Sequence, residues 1–459
     1  MTSTDRPRPE VLIVGAGLSG LLLGILLERA DIPYNIYERA PKVKPLGAIM
    51  SLNVNILPAL EQLGLLEDLQ KISFPSPGFD IYSEELKHIA SMRGKGYKEQ
   101  VGYDIVVFAR PPMYDLLLSK IPEHKIHLNK KVTTSTQDDK KVSITCEDGT
   151  TYTGDILVGA DGAYSGIRQS IYNEAAEKGV LPKADAQNLA QGYITMVGTT
   201  DPLDAAKFPD LKDSYTHFAQ MIGKGTPYTW STFTVPGNKI CWSVQVQLGT
   251  KGAVDKLYKN AEWTPESNEK MIEEISNFKT PYGVLGDLIQ NTPSERISKV
   301  ALEDKLFETW HYGRTVLIGD AAHKLLPSAG QGAVNAMQDS VILANCIYDL
   351  ASLSSKDINT AFADYKEQRY PYAKYHFESS KTQAKILFGQ TLLDRVIRHV
   401  AFNYLPQSLT MKEIFKSAEY QPQATFLPLV EKRGLGKVTP QKPSKRYTEE
   451  QAQKKQVAN

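Results

Sequence analysis

The sequence predicts an α/β fold in which a parallel sheet with helical crossovers is interleaved with a separate antiparallel sheet and followed by C-terminal helices. Three observations carry that expectation. A buried-strand pattern, Val11–Val14, runs into a glycine-rich turn and a helical apolar stretch. A second apolar run, Val316–Ile318, reaches Gly319-Asp320 and then another glycine-opened helix. Between them, residues 190–249 show apolar and aromatic side chains at period two, the mark of paired antiparallel strands.

The 459 residues are enough for about three domains of ordinary size, or two larger interlocked ones. An apolar content of 41% beside 23% charged residues excludes general disorder. With 53 basic and 52 acidic side chains, the net charge of +1 lacks the basic excess of a nucleic-acid binder. Cys146, Cys241 and Cys346 are too widely spaced for a disulfide framework or a CxxC zinc pair, which points to a reducing, cytoplasmic setting. The polar, proline-bearing leader MTSTDRPRPE does not read as a signal peptide. The apolar run Val11 to Leu27 is marginal in length for a membrane span, and Gly15, Gly17 and Gly20 within it have a better use.

Those glycines form G-A-G-L-S-G between a strand and a helix, and a second strand, Tyr34 to Tyr37, ends at Glu38. The order strand, glycine turn, helix, strand, acid fits a dinucleotide site. The first glycine permits the tight turn, the second lets backbone approach a pyrophosphate, and the third lets the helix pack on the strand. The helix N-terminus offers N–H groups and the positive end of its dipole to phosphate. Glu38 is placed to accept hydrogen bonds from a ribose diol. No second GxGxxG occurs, so a single bound dinucleotide is expected. No HExxH, CxxC, P-loop or GxSxG motif occurs either, and no metal site is expected; Glu123, His124 and His127 read as a solvated face.

The segment Thr315 to Leu350 reads TVLIGDAAHKLLPSAGQGAVNAMQDSVILANCIYDL. Gly319-Asp320 lies at the carboxyl end of a strand, where open α/β sheets bind ligands. After Pro327, Gly330-Gln331-Gly332 opens a helix on which Val334, Met337, Val341 and Ala344 share a face. Its N-terminus suits an acceptor that gains negative charge, such as the pyrimidine edge of a reduced flavin.

Together with Asp161-Gly162 in DILVGADGAYSGIR, these motifs resemble the single-component FAD-dependent monooxygenases of the p-hydroxybenzoate hydroxylase-like class. The likeness spans about residues 10–172 and 296–372 and is nearest in character to fungal secondary-metabolism epoxidases and hydroxylases. It implies a glutathione-reductase-type FAD-binding Rossmann fold with an interleaved antiparallel-sheet substrate domain. The expected division is 8–80, 111–172 and 296–350 for the FAD-binding domain, 81–110 and 173–295 for the substrate domain, 351–430 for C-terminal helices and 431–459 for a basic tail, extended or frayed. It implies FAD contacts from Gly15, Gly17, Leu18, Ser19, Gly20, Glu38, Arg39, Gly47, Ala48, Arg110, Asp161, Gly319, Asp320, Pro327, Gly330, Gln331, Gly332 and Ala333. GQGAVNAMQD departs from the commoner GQGxNxxxxD, reading as one extra residue, which leaves Val334 or Asn335 at the usual asparagine position.

Arg110 precedes Pro111-Pro112, so it also reads as a plain helix start. A cation there opposes the helix dipole unless an anion offsets it. Arg168 reads equally as a surface residue, and His323 as a structural donor. Tyr228 and His217 are the candidate general bases, with Tyr228 and Trp230 on one face of a strand and Ile240, Trp242, Val244 and Val246 on one face of the next. One face of that sheet is expected to roof the flavin. Such aromatic stripes are also what an ordinary core looks like.

The resemblance implies NADPH or NADH as transient reductant, O2 as co-substrate and oxygen delivery through a flavin C4a-hydroperoxide to an aromatic or prenylated small molecule. The alternatives are a flavin-dependent reductase or oxidase without oxygen insertion, and a non-catalytic relative that binds prenylated proteins. Residues 385–402 are amphipathic. Packing on the domain is the expected use of that face, with peripheral membrane contact the alternative.

Overall fold

A computed structural model describes residues 7–43, 49–187, 189–248, 265–389, 391–404 and 407–458. Val11–Val14 lies inside a six-stranded sheet in the order His311–Tyr312, Thr315–Leu317, Ile156–Gly159, Val11–Val14, Tyr34–Tyr37, Ile126–His127. All its pairings are parallel except that of His311–Tyr312 with Thr315–Leu317. All four residues of Val11–Val14 are buried because helix Leu18–Arg29 covers one face of the sheet and a three-stranded sheet, Val132–Gln137, Val142–Cys146 and Thr151–Gly154, covers the other, so the run carries no polar alternation. Helix Leu18–Arg29 packs against helix Gly332–Tyr348, and the Ser340 hydroxyl donates to the Ser19 carbonyl at 2.8 Å. A hairpin with its tip at Glu147 to Gly149 joins strands Val142–Cys146 and Thr151–Gly154, and Gly149 takes a φ of 81°.

The second large sheet has eight strands: His323–Lys324, Ser298–Leu306, Ala190–Thr199, Lys239–Gln247, Tyr228–Val235, Phe218–Ile222, Gly78–Ser83 and His88–Arg93. The antiparallel strands expected over 190–249 are present as four, and Pro236-Gly237-Asn238 is a turn with positive φ at Gly237 and Asn238.

This sheet has two unlike faces. The outer one presents Met196, Met221, Trp230, Ile240, Trp242 and Val244 to Met271 and Ile275 of helix Pro265–Ile275 and to Leu285 and Leu288 of helix Leu285–Gln290. Both indoles are satisfied there: Trp230 donates to the Lys279 carbonyl at 2.8 Å and Trp242 to Thr292 Oγ1 at 3.0 Å. The inner face packs Val197, Phe233, Val235 and Cys241 on Ile49, Val107 and Ala109. Those three belong to a small sheet of Ile49–Leu52, Val106–Ala109 and Phe74–Pro75, which joins the two large ones.

Two expectations for the C-terminal part need correction. A proline in the helical run from Lys356 to about Phe402 predicts an interruption at Pro371, but the helix runs unbroken over Ser355–Leu387. Pro371 sits on the exposed side, while Tyr365, Arg369, Ala373 and His376 line the buried side. The tail is neither frayed nor extended throughout. Its basic side chains find acids on the body, Arg433 with Glu61 and Lys442 with Asp364 at 2.7 Å. It ends in helix Lys445–Ala458, opened by Asp349, which accepts from Ser444 Oγ at 2.6 Å and from the Lys445 and Arg446 amides.

Candidate cofactor and substrate site

The glycine turn is shaped by close backbone approach. A Cβ at Gly15, where φ is +107°, would lie 2.4 Å from the Ala160 carbonyl oxygen, and one at Gly20 would lie 2.1 Å from the Gly15 oxygen. At Gly17 the nearest atom would be 3.8 Å away, which leaves room beside it for a ligand. Helix Leu18–Arg29 starts with no side-chain cap and no acid in its first turn. That end therefore suits an anion. Glu38 accepts from the Ala16 and Ala40 amides at 2.9 Å, so its carboxylate is aimed at the turn. Arg39 is exposed beside it. Gly47 and Ala48 lie outside the described residues.

The second glycine segment closes on the first. Gly319 takes φ +61° with Ser19 Oγ and the Ala336 methyl each 3.1 Å from its Cβ position, tucked between the two glycine-opened helices. Asp320 follows, half-buried. After the turn Pro327–Ala329, Gly330 takes φ +61° with Ser51 Oγ 3.0 Å from its Cβ position, so the GQG loop lies against strand Ile49–Leu52. Arg110 leaves the neighbouring strand, where Ala109 pairs with Ile49, and opens helix Arg110–Leu118. Its Nη2 donates to Tyr114 at 3.0 Å, while its buried Nε has no partner. Gln331 Oε1 is likewise buried without a partner, and a Cβ on Gly332 would meet nothing within 4 Å. Two uncapped helix starts, open glycines and orphaned polar atoms around one strand fit a long, partly anionic dinucleotide.

Beneath this surface lies an ion-pair network absent from the candidates read from the sequence. Asp339 accepts from His323 Nε2 at 2.6 Å, from Arg369 Nε at 2.9 Å and from the Gly319 amide at 2.8 Å. All three side chains are at most 1% exposed. Burial works against the Asp339 charge, but His323 and Arg369 together hold its carboxyl below the usual range. Arg369 also reaches Asn335 Oδ1 at 3.0 Å. The only signals were the aspartate in GQGAVNAMQD and the arginine before Pro371. That segment has no insertion: it is as long as GQGxNxxxxD, its helix is unbroken, and the asparagine is displaced by one place. Val334 and Asn335 are both fully buried.

Asp161 is a cap. It accepts from Ser165 Oγ at 2.5 Å and from the Ile167 amide at 3.1 Å, and burial raises its pKa despite those bonds. Arg168 is buried, not a surface residue. It donates to the Ala163 and Ala321 carbonyls at 2.6 and 3.0 Å, with Phe307 4.2 Å below its guanidinium, and so ties this loop to the Gly319–Ala321 turn. His323 has the structural role the sequence suggested.

The facing wall is the inner face of the eight-stranded sheet. Phe218 lies between Phe79 and Phe233, with ring centroids 4.8 and 4.0 Å apart. Gln245 donates to Ser243 Oγ at 3.0 Å, while its buried Oε1 has no partner. The buried residues of the four central strands include no acid, lysine, arginine or histidine. Burial pushes the Cys241 thiol and the Tyr193 phenol up to about 12, so both are neutral. Among the described residues, no acids, histidines and cysteines converge as a metal site.

Tyr228 and His217 are not brought to this wall. The Tyr228 hydroxyl donates to Glu274 of the covering helix, and its ring meets Phe278 at 5.3 Å. Trp230 also faces outward, 4.5 Å from Phe278. The period-two stripe was correct, but it is the core between sheet and helices, not the roof of a site. His217 precedes strand Phe218–Ile222 and pairs with Asp213 at 2.8 Å.

Comparison with known proteins agrees with this geometry. The sequence profile described as FAD binding domain matches residues 8–194 and 252–380. The chain is 28% identical over 440 residues to the FAD-dependent monooxygenase ausM of Penicillium brasilianum, covering 92% of this chain and 89% of that one. It is 27% identical over 449 residues to the FAD-dependent monooxygenase atmM of Aspergillus flavus, covering 94% and 89%. Among solved structures, Klebsiella pneumoniae HpxO complexed with FAD and uric acid superposes with a TM-score of 0.73 at 18% identity, covering 92% of this chain and 100% of the other. A salicylate hydroxylase substrate complex superposes with a TM-score of 0.62 at 19% identity, covering 88% and 97%.

Proposed function

The chain belongs to the FAD binding domain family, and from that premise we propose an oxygen-inserting enzyme acting on a neutral, lipophilic small molecule. It binds FAD and is an FAD-dependent monooxygenase. Bound FAD supplies electron transfer from NADPH or NADH and activation of O2; every other task falls to this chain's own residues. Gly15, Gly17, Leu18, Ser19 and Gly20 hold the pyrophosphate, with Glu38 on the ribose and Arg39 beside the adenine. Arg110 and Asp320 serve the middle of the cofactor. Pro327, Gly330, Gln331, Gly332 and Ala333 line its ring system, and Asp161 and Gly319 hold the loops that shape the groove.

The observation that carries the substrate reading is the uncharged inner face of the sheet's four central strands. The buried residues of those strands include no acid or histidine to deprotonate a phenol, but they offer phenylalanine packing for apolar contact and Gln245 Oε1 to accept one hydroxyl. A wall of this kind orients an acceptor and excludes water from the reacting oxygen. Oxygen transfer to an alkene fits it better than hydroxylation of a phenolate.

The test is NADPH oxidation by the FAD-loaded protein with prenylated and phenolic compounds under isotopically labelled dioxygen. Acceleration by a prenylated compound with one labelled oxygen in the product is the expected result. Acceleration only by phenols would move the reading to an aromatic hydroxylase. Turnover without labelled product would move it to a reductase or oxidase.

A further inference from the structure

Helix Leu392–Asn403 is built inside out. Its buried positions are the charged ones, Asp394 at 6% and Arg398 at 9% exposure. Asp394 completes a capping box with Thr391. Arg398 turns back to donate to the Gly389 and Ile386 carbonyls at 2.9 and 3.3 Å, capping the end of helix Ser355–Leu387. The helix is thus anchored by polar bonds. Leu392 (80% exposed), Leu393 (67%), Val396 (53%), Ile397 and Val400 form one stripe turned to solvent. Tyr404 and Leu409 are exposed just beyond it. The expectation that this amphipathic segment packs its apolar face on the domain is therefore reversed. A contiguous apolar stripe of this kind marks a surface that meets another phase or partner.

Charge selects the occupant. Residues 381–417 hold six lysines and arginines against two acids, a local net charge of +4 in a chain whose total is +1. Lys385, Arg395, Lys412 and Lys416 are all exposed. An apolar stripe flanked by basic residues suits a bilayer with anionic headgroups, with the helix lying in the interface and its lysine stems reaching back to the phosphates. A second copy of this face would meet it with like charge. Among the described residues no helix is long and apolar enough to cross a membrane, so the contact is with one leaflet.

We propose that this stripe seats the protein on an anionic phospholipid surface. The stripe starts next to the neutral wall of the site. Phe388, four residues before Leu392, meets the inner-face Tyr193 with ring centroids 6.0 Å apart, and the Leu387 carbonyl accepts from inner-face Gln220 at 3.3 Å. An apolar substrate dissolved in the leaflet would reach that wall with little exposure to water. The docking itself does not depend on the chemistry assigned to the site.

The test is flotation of the full-length, FAD-loaded protein with vesicles of phosphatidylcholine alone or containing about one-third phosphatidylserine. The wild type should float with the phosphatidylserine vesicles, less so in high salt. The L393E/V396E/V400E variant, altered only at exposed positions, should float at least about fivefold less. As a second measurement that leaves most of the stripe intact, an environment-sensitive dye on Val400→Cys should shift to the blue on phosphatidylserine vesicles. Absence of wild-type flotation, equal flotation of the variant, or no dye shift would overturn the proposal. So would a wild type that is dimeric and a variant that is monomeric, with neither binding vesicles, which would assign the stripe to a second copy.

Discussion

The two walls of the candidate site are built from opposite materials. The cofactor wall rests on a buried ion-pair network, Asp339 with His323 and Arg369, beneath glycine loops. The sheet wall has no charge among the buried residues of its central strands, and its ionisable groups Cys241 and Tyr193 are held neutral. The difference follows from what each wall must do. Loops that turn through positive φ at Gly319 and Gly330 need fixed polar anchors to keep one shape. A surface that surrounds a reactive oxygen is better without groups that hold water or protons.

The sharpest way to break this comparison is to remove the anchor. Asp339→Ala leaves Arg369 and His323 facing each other in a dry interior, a loss on the order of 3–5 kcal/mol. A large fall in melting temperature is expected, with at least about tenfold weaker retention of FAD on gel filtration. Asp339→Asn should lie between that variant and wild type. A variant that melts and retains FAD like wild type would show that the loops do not depend on the network.

The walls should also fail at opposite ends of the pH scale. His376, near Arg369 and His323, is pushed down to about 4, mainly by burial. Between that value and the ordinary ~6.5, the unfolded chain binds the extra proton. Stability is therefore complete above ~6.5 and lost as pH falls toward 4, by about 3 kcal/mol at most from this group. On the sheet wall the sign reverses. Cys241 is raised to about 12 by burial, so above its ordinary ~9 the unfolded chain sheds its proton first, and stability falls as pH rises. Denaturant melts across pH should show the acid limb flattened in His376→Phe and the alkaline limb flattened in Cys241→Ala. If each substitution flattens the other limb or neither, the assignment of the limbs is wrong.

A smaller, more selective effect is expected at Gln245. Replacing it by leucine removes a buried acceptor that has no partner along with the donor bond to Ser243, so the melting temperature should change little. For a hydroxyl-bearing substrate that Oε1 receives, KM should rise about tenfold, with kcat nearly unchanged. An unchanged KM across the substrate panel would remove Gln245 from the pocket.

Much of the cofactor wall was legible from sequence because its demands are local. Gly15 and Gly20 are required by contacts that any Cβ would violate, and such requirements write themselves into a short motif. The strands of the middle sheet were legible for the same reason, since period two is a property of neighbours. Direction was not. Alternation at Tyr228 and Trp230 shows that two faces exist, but which one meets the cofactor depends on where helix Pro265–Ile275 lands. The same gap explains Leu392–Asn403, where the stripe was visible and its outward turn was not. Asp339 and Arg369, thirty residues apart and joined only by folding, show no pairing in the sequence.

The smallest expected effect is the most direct test of which face works. Tyr228→Phe removes one hydroxyl from the outer face, where it bonds Glu274 on the covering helix. That bond lies near solvent, so its loss should cost no more than about 1 kcal/mol. With the ring and its contact to Phe278 kept, kcat and KM should stay within about twofold of wild type. The same deletion of a general base would lower kcat by about a hundredfold or more and change its pH profile. A loss of that size at Tyr228 would place the chemistry on the aromatic face and make the neutral wall the structural one. A near-silent substitution, set beside a KM effect at Gln245, would leave oxygen transfer to a wall that binds and shields without donating or accepting a proton.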